Sequence, residues 1–196
     1  MEEENVKVLK LLLVGDSGVG KTSLISRYVG GKFNDNCAST IGVDTKEIVK
    51  TINSIKHRIK IIDTTGQEKY QNITKTYFRI ADGMFVVFDL NDEDSFKSLE
   101  HWINLINELV EEPNIIILAN KSDLFETNTI NDDQINDFSY QKKIKIIKVS
   151  AKDNYNIKES FYDMLKLIYD NPVIERDSFV MNKESHRNSE VKENCC

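Results

Sequence analysis

One eight-residue stretch, GDSGVGKT at positions 15–22, constrains the fold more than any other part of the chain. It fits the pattern G-x-x-x-x-G-K-[ST] and directly follows KVLKLLLV, a run of apolar and β-prone residues that predicts a strand. Glycines let the backbone approach phosphate groups and aim N–H groups at them, and the N-terminus of a following helix adds positive potential. The stretch therefore predicts a strand, a phosphate-binding loop and a helix, in that order.

Two side chains of this loop have the chemistry to complete a triphosphate site. Lys21 is predicted to reach the β- and γ-phosphates. Thr22 offers a hydroxyl oxygen to Mg²⁺, a hard cation that keeps several waters and needs few protein ligands. Any nucleoside triphosphate would fit these features, so the base has to be identified elsewhere in the chain.

Strand-like apolar runs alternate with segments of helical spacing along the chain. The runs lie at 8–14, 84–90, 115–119 and 144–149. Residues 45–63 form two alternating segments joined across Asn53 and Ser54, which predicts a β-hairpin. Helical spacing follows Asp94, and a second helix is indicated by an apolar stripe at Ile157, Phe161, Met164, Leu165 and Ile168. The pattern predicts an α/β domain with a mixed sheet.

Length and composition predict one domain followed by a tail. The 196 residues, 40% of them hydrophobic, are enough for a single core. Periodicity stops at Pro172, so we assign residues 1–171 to the domain and residues 172–196 to a disordered tail. The chain starts without an h-region and has no apolar run near the roughly 18 residues of a membrane span, which predicts a cytosolic protein.

Charge and cysteine usage exclude several function classes. A formal net charge of −6 without a basic stripe argues against a nucleic-acid-binding protein. Cys37 and the pair Cys195 and Cys196 give neither a disulfide framework nor metal-ligand spacing. The three histidines are widely scattered, and we assign them to surface or packing roles.

The base is predicted from ILANKSD, where Asn120, Lys121 and Asp123 follow a strand and so lie beside the phosphate loop. Asp123 is able to accept hydrogen bonds from the N1–H and 2-amino groups of guanine, whereas adenine presents an acceptor at N1 and would leave the carboxylate unpaired. The companion motif VSAK at 149–152 supports the same interpretation. The predicted nucleotide is GTP.

The segment DTTGQE, at the end of the hairpin's second strand, predicts hydrolysis. Asp63 is placed to hold Mg²⁺ through water, Gly66 to donate its backbone N–H to the γ-phosphate, and Gln67 to orient a water for in-line attack. Thr40, in CASTIGVD, would add a second hydroxyl to Mg²⁺ only while the γ-phosphate is present, which predicts a switch.

Eight motifs occur together in one order and spacing between about residue 6 and the end of the chain: GDSGVGKT, TIGVD, DTTGQE, ITKTYFR, SFKSLEHW, NKSD, SAK and a terminal CC. In this arrangement the chain resembles the Rab family of Ras-like small GTPases, from about residue 6 to 170. The resemblance implies an α/β phosphate-loop NTPase fold, a Ras-like G domain with a six-stranded mixed sheet flanked by five helices.

The resemblance also implies residue roles. Phe33 would stack on the guanine edge, the Ala151 N–H would donate to its O6, and Lys121 and Lys152 would flank the ring, with switches at 33–45 and 64–80. The implied nucleotide-binding residues are Ser17, Gly18, Val19, Gly20, Lys21, Thr22, Ser23, Phe33, Thr40, Gly66, Asn120, Lys121, Asp123, Ser150, Ala151 and Lys152. Mg²⁺ is assigned to Thr22, Thr40 and Asp63, and catalysis to Gln67.

The implied function is a monomeric switch that cycles between GDP and GTP forms and recruits effectors in vesicle traffic. Turnover is expected to be slow, because no arginine in the matched motifs serves as a finger in cis and an activator would supply it in trans. An exchange factor is implied as well. Geranylgeranylation of Cys195 and Cys196 would hold the protein on the cytoplasmic face of intracellular membranes, with a soluble cytosolic pool.

Several family-typical residues are replaced. Thr45 and Ile62 stand where Rab proteins usually carry phenylalanine and tryptophan, and only Tyr77 remains of this aromatic trio, so different effectors are expected. Cys37 stands where a tyrosine often covers the phosphates, and Thr65 replaces an alanine beside Gln67. Both replacements bear on the hydrolysis rate.

Two other function classes remain open at this point. A GTP-binding scaffold with negligible hydrolysis is opposed by Gln67 but kept open by Thr65. A phosphate-loop metabolic kinase would need an acceptor-substrate domain or an arginine-bearing lid, and the sequence indicates neither.

Overall fold

The computed structural model describes residues 7–34, 42–52, 55–64, 71–127 and 129–172. Its strands are β1 (Lys7–Val14), β2 (Val43–Ile52), β3 (Ile55–Thr64), β4 (Gly83–Asp89), β5 (Ile115–Asn120) and β6 (Lys145–Lys148). Its helices are α1 (Lys21–Tyr28), α2 (Gln71–Ile80), α3 (Glu93–Leu109), α4 (Asp132–Lys142) and α5 (Ile157–Asp170), with a short 3₁₀ helix at Ser122–Thr127. Strands and helices alternate from β3 onward, as the sequence pattern predicts.

The six strands form one mixed sheet in the order β2-β3-β1-β4-β5-β6. Strands β1, β3, β4, β5 and β6 run parallel, and β2 pairs antiparallel with β3 from Val43 opposite Thr64 to Ile52 opposite Ile55. The predicted hairpin and mixed sheet are confirmed. Since β4 and β5 are buried along their whole length, the centre of the sheet is covered on both faces.

Two hydrophobic clusters cover the two faces of the sheet. On one face, α1 and α5 pack on alternate residues of the strands, and Tyr28 stacks on Phe161 with ring centroids 3.7 Å apart. On the other face lie α2, α3 and α4, with Phe78, Trp102 and Ile135 among their buried side chains. All five residues of the predicted α5 stripe are buried. The fold is the predicted six-stranded sheet flanked by five helices.

The start of α3 differs from the sequence prediction, and α4 has no apolar stripe from which the sequence would predict it. Helix α3 begins at Glu93 rather than after Asp94, because the Asp92 carboxylate caps it by accepting hydrogen bonds from the backbone N–H groups of Asp94 and Ser95. Helix α4 buries only Ile135 and therefore has no apolar stripe. Its start is fixed by a capping box between Asn131 and Gln134.

Within the described residues, no helix is both long and apolar enough to cross a lipid bilayer. The tail predicted for residues 172–196 lies, apart from Pro172, outside the described residues.

Candidate functional site

The candidate site lies along the edge of the sheet where the parallel strands end. Strands β1, β3, β4, β5 and β6 end there at Val14, Thr64, Asp89, Asn120 and Lys148. Ligands of open α/β sheets bind in the crevice outside the carboxyl ends of the strands, at the point where the strand order reverses. The predicted phosphate loop, the NKSD segment and the SAK segment all start at this edge.

The GDSGVGKT loop depends on glycine at two positions where another residue would collide with the structure. Gly15 has φ +138°, and a Cβ there would overlap the carbonyl oxygen of Val87 in β4. Gly20 has φ +96°, and a Cβ there would overlap the side-chain amide of Asn120. Gly20 also precedes α1 without any side-chain cap. The first turn of a helix leaves backbone N–H groups without intrahelical partners, so the start of α1 beside this loop is suited to an anion such as phosphate.

Lys21 is folded back into the loop. Its ammonium group donates hydrogen bonds to the carbonyl oxygens of Gly15 (2.8 Å) and Asp16 (2.7 Å). Burial lowers the pKa of Lys21 to about 8, although the nearby Asp63 and Asp16 carboxylates partly offset this effect. A phosphate group beside this buried ammonium would supply the counter-charge that favours its protonated form.

The two described candidates for Mg²⁺ binding, Thr22 and Asp63, meet directly. The Thr22 hydroxyl donates to a carboxylate oxygen of Asp63 at 2.6 Å, although 41 positions separate them in the chain. Asp63 is 2% exposed at the end of β3, and Thr22 lies in the first turn of α1 next to Lys21. A hydroxyl and a carboxylate oxygen side by side are a donor set of the kind that Mg²⁺ prefers.

Asn120 joins the phosphate loop to the segments predicted to bind the base. Its side chain is 1% exposed, and its amide donates to the carbonyl oxygen of Val19 at 2.7 Å. Its side-chain oxygen accepts a long hydrogen bond, 3.3 Å, from the backbone N–H of Ala151. One buried amide thus contacts both Val19, 101 positions away in the chain, and Ala151, 31 positions away.

Asp123 is oriented by the SAK segment. The Ser150 hydroxyl donates to a carboxylate oxygen of Asp123 at 2.6 Å and accepts from the backbone N–H of Asp153 at 3.0 Å. Asp123 itself is half-buried, and Lys152, two residues after Ser150, is exposed. Phe33 is half-buried and packs against the cluster under α1 and α5. The Asp123 carboxylate is therefore fixed in direction while remaining accessible.

Comparisons with known proteins show the family of this chain. The model of the Ras family matches residues 10–170. The chain is 39% identical over 162 residues to the Ras-related protein SEC4 of Saccharomyces cerevisiae, which covers 82% of this chain and 75% of that protein. It is 35% identical to SEC4 of Candida albicans (96% and 94% covered) and 39% identical to the Ras-related protein Rab-15 of Homo sapiens (82% and 76%). The chain belongs to the Rab family of Ras-like small GTPases.

As a Rab-family GTPase, the protein binds GTP and GDP, hydrolyses GTP to GDP, and functions in vesicle traffic. The predicted family, fold class and activity are confirmed. Membership also implies regulators and effector proteins, and relatives of this Rab protein are associated with membranes.

Sequence reasoning missed two contacts at the site of this Rab protein. The ammonium group of Lys121 forms an ion pair with Asp89 at 2.7 Å, at the end of β4. The indole N–H of Trp102, in α3, donates to a carboxylate oxygen of Asp16 at 2.8 Å. One signal was available for Asp89: it is an acidic residue at the end of a buried apolar strand, and the neighbouring strand ends in Asn120.

Five predicted site residues lie outside the described residues: Thr40, Gly66, Gln67, Cys195 and Cys196. Their assignments in this Rab protein stay predictions from the sequence.

Proposed function

We propose that this Rab-family protein works as a GDP/GTP switch in which the GDSGVGKT loop holds the phosphates of Mg²⁺-bound GTP. The observation that carries the proposal is the meeting of the Thr22 hydroxyl and the Asp63 carboxylate, 2.6 Å apart, next to the buried ammonium of Lys21. Two hard oxygen ligands and one cation beside the glycine-rich loop support the proposal, because a helix N-terminus favours phosphate and Mg²⁺ prefers oxygen ligands. Such a set suits a triphosphate with its metal ion.

In this proposal Thr22 and Asp63 hold Mg²⁺, the latter through water, and Thr40 joins them in the triphosphate form. The ion would supply charge neutralisation at the β- and γ-phosphate oxygens. Lys21 exchanges its hydrogen bonds to the Gly15 and Asp16 carbonyls for phosphate oxygens. The proposed contacts of Thr40 with Mg²⁺ and of the Gly66 N–H with phosphate both depend on the γ-phosphate. The segments that carry these two residues would therefore change conformation when GTP is hydrolysed.

The base is proposed to lie against Asp123, whose carboxylate accepts from the guanine N1–H and 2-amino groups. Support comes from the Ser150 hydroxyl, which fixes one carboxylate oxygen at 2.6 Å. Ala151 would donate its backbone N–H to the guanine O6, and Lys121 and Lys152 would flank the ring. Asp89 holds Lys121 by the 2.7 Å ion pair and so limits the positions that this lysine adopts.

Hydrolysis is proposed to depend on Gln67, which orients the attacking water, and to be slow without an activator. Gln67→Leu should leave GTP affinity nearly unchanged, because the proposed role of Gln67 is to orient the attacking water and not to hold the bound phosphates. Activator-stimulated hydrolysis, measured in a single turnover with purified protein, should fall by about 10² or more.

Gln141→Leu, at an exposed position of α4, is the matched control and should hydrolyse GTP as the wild type does. Stimulated hydrolysis that is equally fast in wild type and Gln67→Leu would contradict the role of Gln67. Wild-type protein that binds GTP but gives no hydrolysis, even with activators of related Rab proteins, would contradict the proposed hydrolytic switch.

Effectors are proposed to bind the triphosphate form of the monomeric protein and to differ from those of typical Rab proteins. Thr45 is exposed on β2 and pairs with Ile62 on β3, which is only 4% exposed. Tyr77 is half-buried and packs against the same cluster as Ile62. This surface offers less aromatic area than a phenylalanine and tryptophan would. Affinity capture on the GTP-analogue form and the GDP form should retain effectors on the former only.

Membrane attachment is proposed to occur through geranylgeranyl groups on Cys195 and Cys196, with a soluble pool in the cytosol. The sequence from residue 171 to residue 196 contains four basic and five acidic residues, so no polybasic patch assists attachment. One lipid chain anchors only reversibly, and a second chain is then required.

Replacing both cysteines by serine should move the protein wholly into the soluble fraction of lysed cells, and either single replacement should leave weak, easily extracted association. Cys37→Ser is the control and should fractionate as the wild type does. A double variant that sediments with membranes like the wild type would show that the anchor lies elsewhere.

A further inference from the structure

The side chain of Asp16 is held by a helix that takes no part in the proposed nucleotide contacts. Asp16 is the second residue of the GDSGVGKT loop, and one of its carboxylate oxygens accepts a hydrogen bond from the indole N–H of Trp102 at 2.8 Å. The two residues are 86 positions apart, and Trp102 lies in the middle of α3. This bond joins that helix directly to the phosphate loop.

Packing leaves the indole of Trp102 little freedom. The residue is 6% exposed and belongs to the cluster that α3 forms with the sheet. Its ring also meets that of His101 edge-on, with centroids 5.6 Å apart. The donor is therefore fixed by the core, whereas Asp16, half-buried at the loop, is the partner that adapts.

The direction of the Asp16 carboxylate affects the charge balance at the phosphate site. The backbone carbonyl of the same residue accepts a hydrogen bond from the Lys21 ammonium at 2.7 Å. The Asp16 carboxylate belongs to the same residue as this carbonyl, so it stays close to the Lys21 ammonium. A carboxylate that acts on this ammonium also acts on phosphates bound to it, and the repulsion grows with the number of phosphate charges.

We propose that Trp102 is a positioning residue for nucleotide binding: its indole N–H holds the Asp16 carboxylate against α3 and so keeps this negative charge from turning toward the γ-phosphate. The inference rests on the proposed placement of the phosphates in the GDSGVGKT loop. Trp102 thereby sets the preference of the site for triphosphate over diphosphate without touching either nucleotide.

The test is the ratio of dissociation rates of a non-hydrolysable GTP analogue and of GDP, measured on the full chain with Mg²⁺. Trp102→Phe keeps an aromatic ring in the core but removes the donor, and should raise this ratio by roughly threefold to tenfold. Asp16→Asn keeps an acceptor oxygen and removes the charge. Added to Trp102→Phe, it should return the ratio close to that of the wild type.

Ile106→Ala is the matched control, because Ile106 is fully buried in α3 and its replacement costs packing without affecting a bond to the loop. It should lower thermal stability and leave the ratio unchanged. Equal acceleration of both nucleotides in Trp102→Phe, or failure of Asp16→Asn to restore the ratio, would show that Trp102 only fills the core and would overturn the inference.

A second measurement does not depend on the folding of Trp102→Phe. The chain has one tryptophan, so ¹⁵N-labelled protein with GDP gives a single indole N–H resonance. Asp16→Ala should shift this resonance upfield and speed its exchange with solvent, whereas Asp94→Ala, an exposed acidic residue of the same helix, should do neither. An indole resonance whose chemical shift and solvent exchange are unchanged in Asp16→Ala would overturn the inference.

Different results would overturn the proposed phosphate site and the role of Trp102. Wild-type protein that binds neither nucleotide would overturn the proposed phosphate site and this inference with it. Wild-type protein that binds both, together with an unchanged ratio in Trp102→Phe, would overturn only the role of Trp102.

Discussion

At the scale of single residues, Asn120 connects two other segments of the candidate site. Its buried amide donates to the carbonyl of Val19 in the phosphate loop, and its oxygen accepts from the N–H of Ala151 in the SAK segment. Only glycine at position 20 leaves room for it. A buried amide that joins its own NKSD segment to these two loops fixes the distance between the phosphate and base ends of the site, because each unmade bond would leave a polar group without solvent.

Asp123→Asn should change the base preference of the protein from guanine toward xanthine. The amide donates to the 2-oxo group of xanthine, where the carboxylate of Asp123 accepts from the 2-amino group of guanine. Unpaired buried polar groups discriminate between ligands by ~10⁴ or more, so the GTP-to-XTP affinity ratio should fall by several orders of magnitude. Competition of the two nucleotides for the purified variant measures this ratio.

Asp153→Asn is the control, since it removes the same charge from an exposed residue of the neighbouring loop and should keep the wild-type ratio. If Asp123→Asn still preferred GTP by the wild-type ratio, Asp123 would not be the residue that recognises the base.

The residue-scale contacts also show where sequence reasoning stops. Lys21, Thr22, Asn120 and Asp123 were predicted because each belongs to a short motif that follows a strand, and the strand ends bring the motifs together. The pairs Lys121–Asp89 and Trp102–Asp16 were not predicted. Their members belong to different elements, and the contact depends on how α3 and β4 pack, which no local spacing encodes.

At the scale of elements, α1 and α5 are joined by aromatic stacking. The Tyr28 and Phe161 rings are 3.7 Å apart and nearly parallel, and Phe161 also meets Phe85 of β4. Lys50 of β2 places its ammonium 5.9 Å from the centroid of the Tyr28 ring. Because α1 carries the Lys21 end of the phosphate loop, this contact fixes the helix that follows the loop against the sheet.

Tyr28 should make the protein less stable at high pH. Burial raises the pKa of Tyr28 from 10.0 to about 12, so the folded state holds this proton more tightly than the unfolded state. Its contribution is fully present below pH 10 and is lost as the pH rises from 10 to 12, a loss of about 2 kcal/mol in the free energy of unfolding. Tyr28→Phe keeps the stacked ring and should lack this loss, as urea unfolding between pH 9 and 12 would measure.

Tyr140→Phe is the control, because Tyr140 is 86% exposed on α4 and its removal should leave the pH dependence of the wild type. Identical pH profiles for the wild type and Tyr28→Phe would show that the Tyr28 hydroxyl ionises as freely in the folded as in the unfolded chain.

The elements differ in how readily the sequence predicts them, for a physical reason. Helix α5 buries one continuous face, so its stripe of apolar residues was visible and every member is buried. The hairpin of β2 and β3 was visible through its alternation. Helix α4 buries Ile135 alone and is defined by its capping box and its terminal Lys143, which has φ +55°. Its position was implied only by the family resemblance.

At the scale of the whole molecule, the nucleotide site is a junction between parts of the fold that are far apart in sequence. The phosphate loop follows β1, Asp63 lies one residue before the end of β3, Asn120 ends β5 and Ser150 follows β6. Within the described residues, these strand ends are linked at the site by the bonds from Thr22 to Asp63, from Asn120 to Val19 and from Ser150 to Asp123. A ligand that contacts all four segments at once therefore stabilises the entire folded state and not one loop.

Removing Mg²⁺ and nucleotide should lower the thermal stability of the whole chain. A ligand bound only by the folded state at about 1,000 times its Kd adds about 4 kcal/mol, which for a domain of this size corresponds to roughly 10 °C in Tm. Calorimetry of protein treated with a chelator and a phosphatase, before and after addition of GDP with Mg²⁺, measures this difference.

ATP with Mg²⁺ should not restore the Tm, because adenine leaves Asp123 unpaired. In Asp123→Asn, xanthosine diphosphate should protect where GDP no longer does, which separates base recognition from unspecific phosphate binding. Equal protection by ATP and GDP, or a Tm indifferent to GDP, would contradict a guanine site that spans the four strand ends.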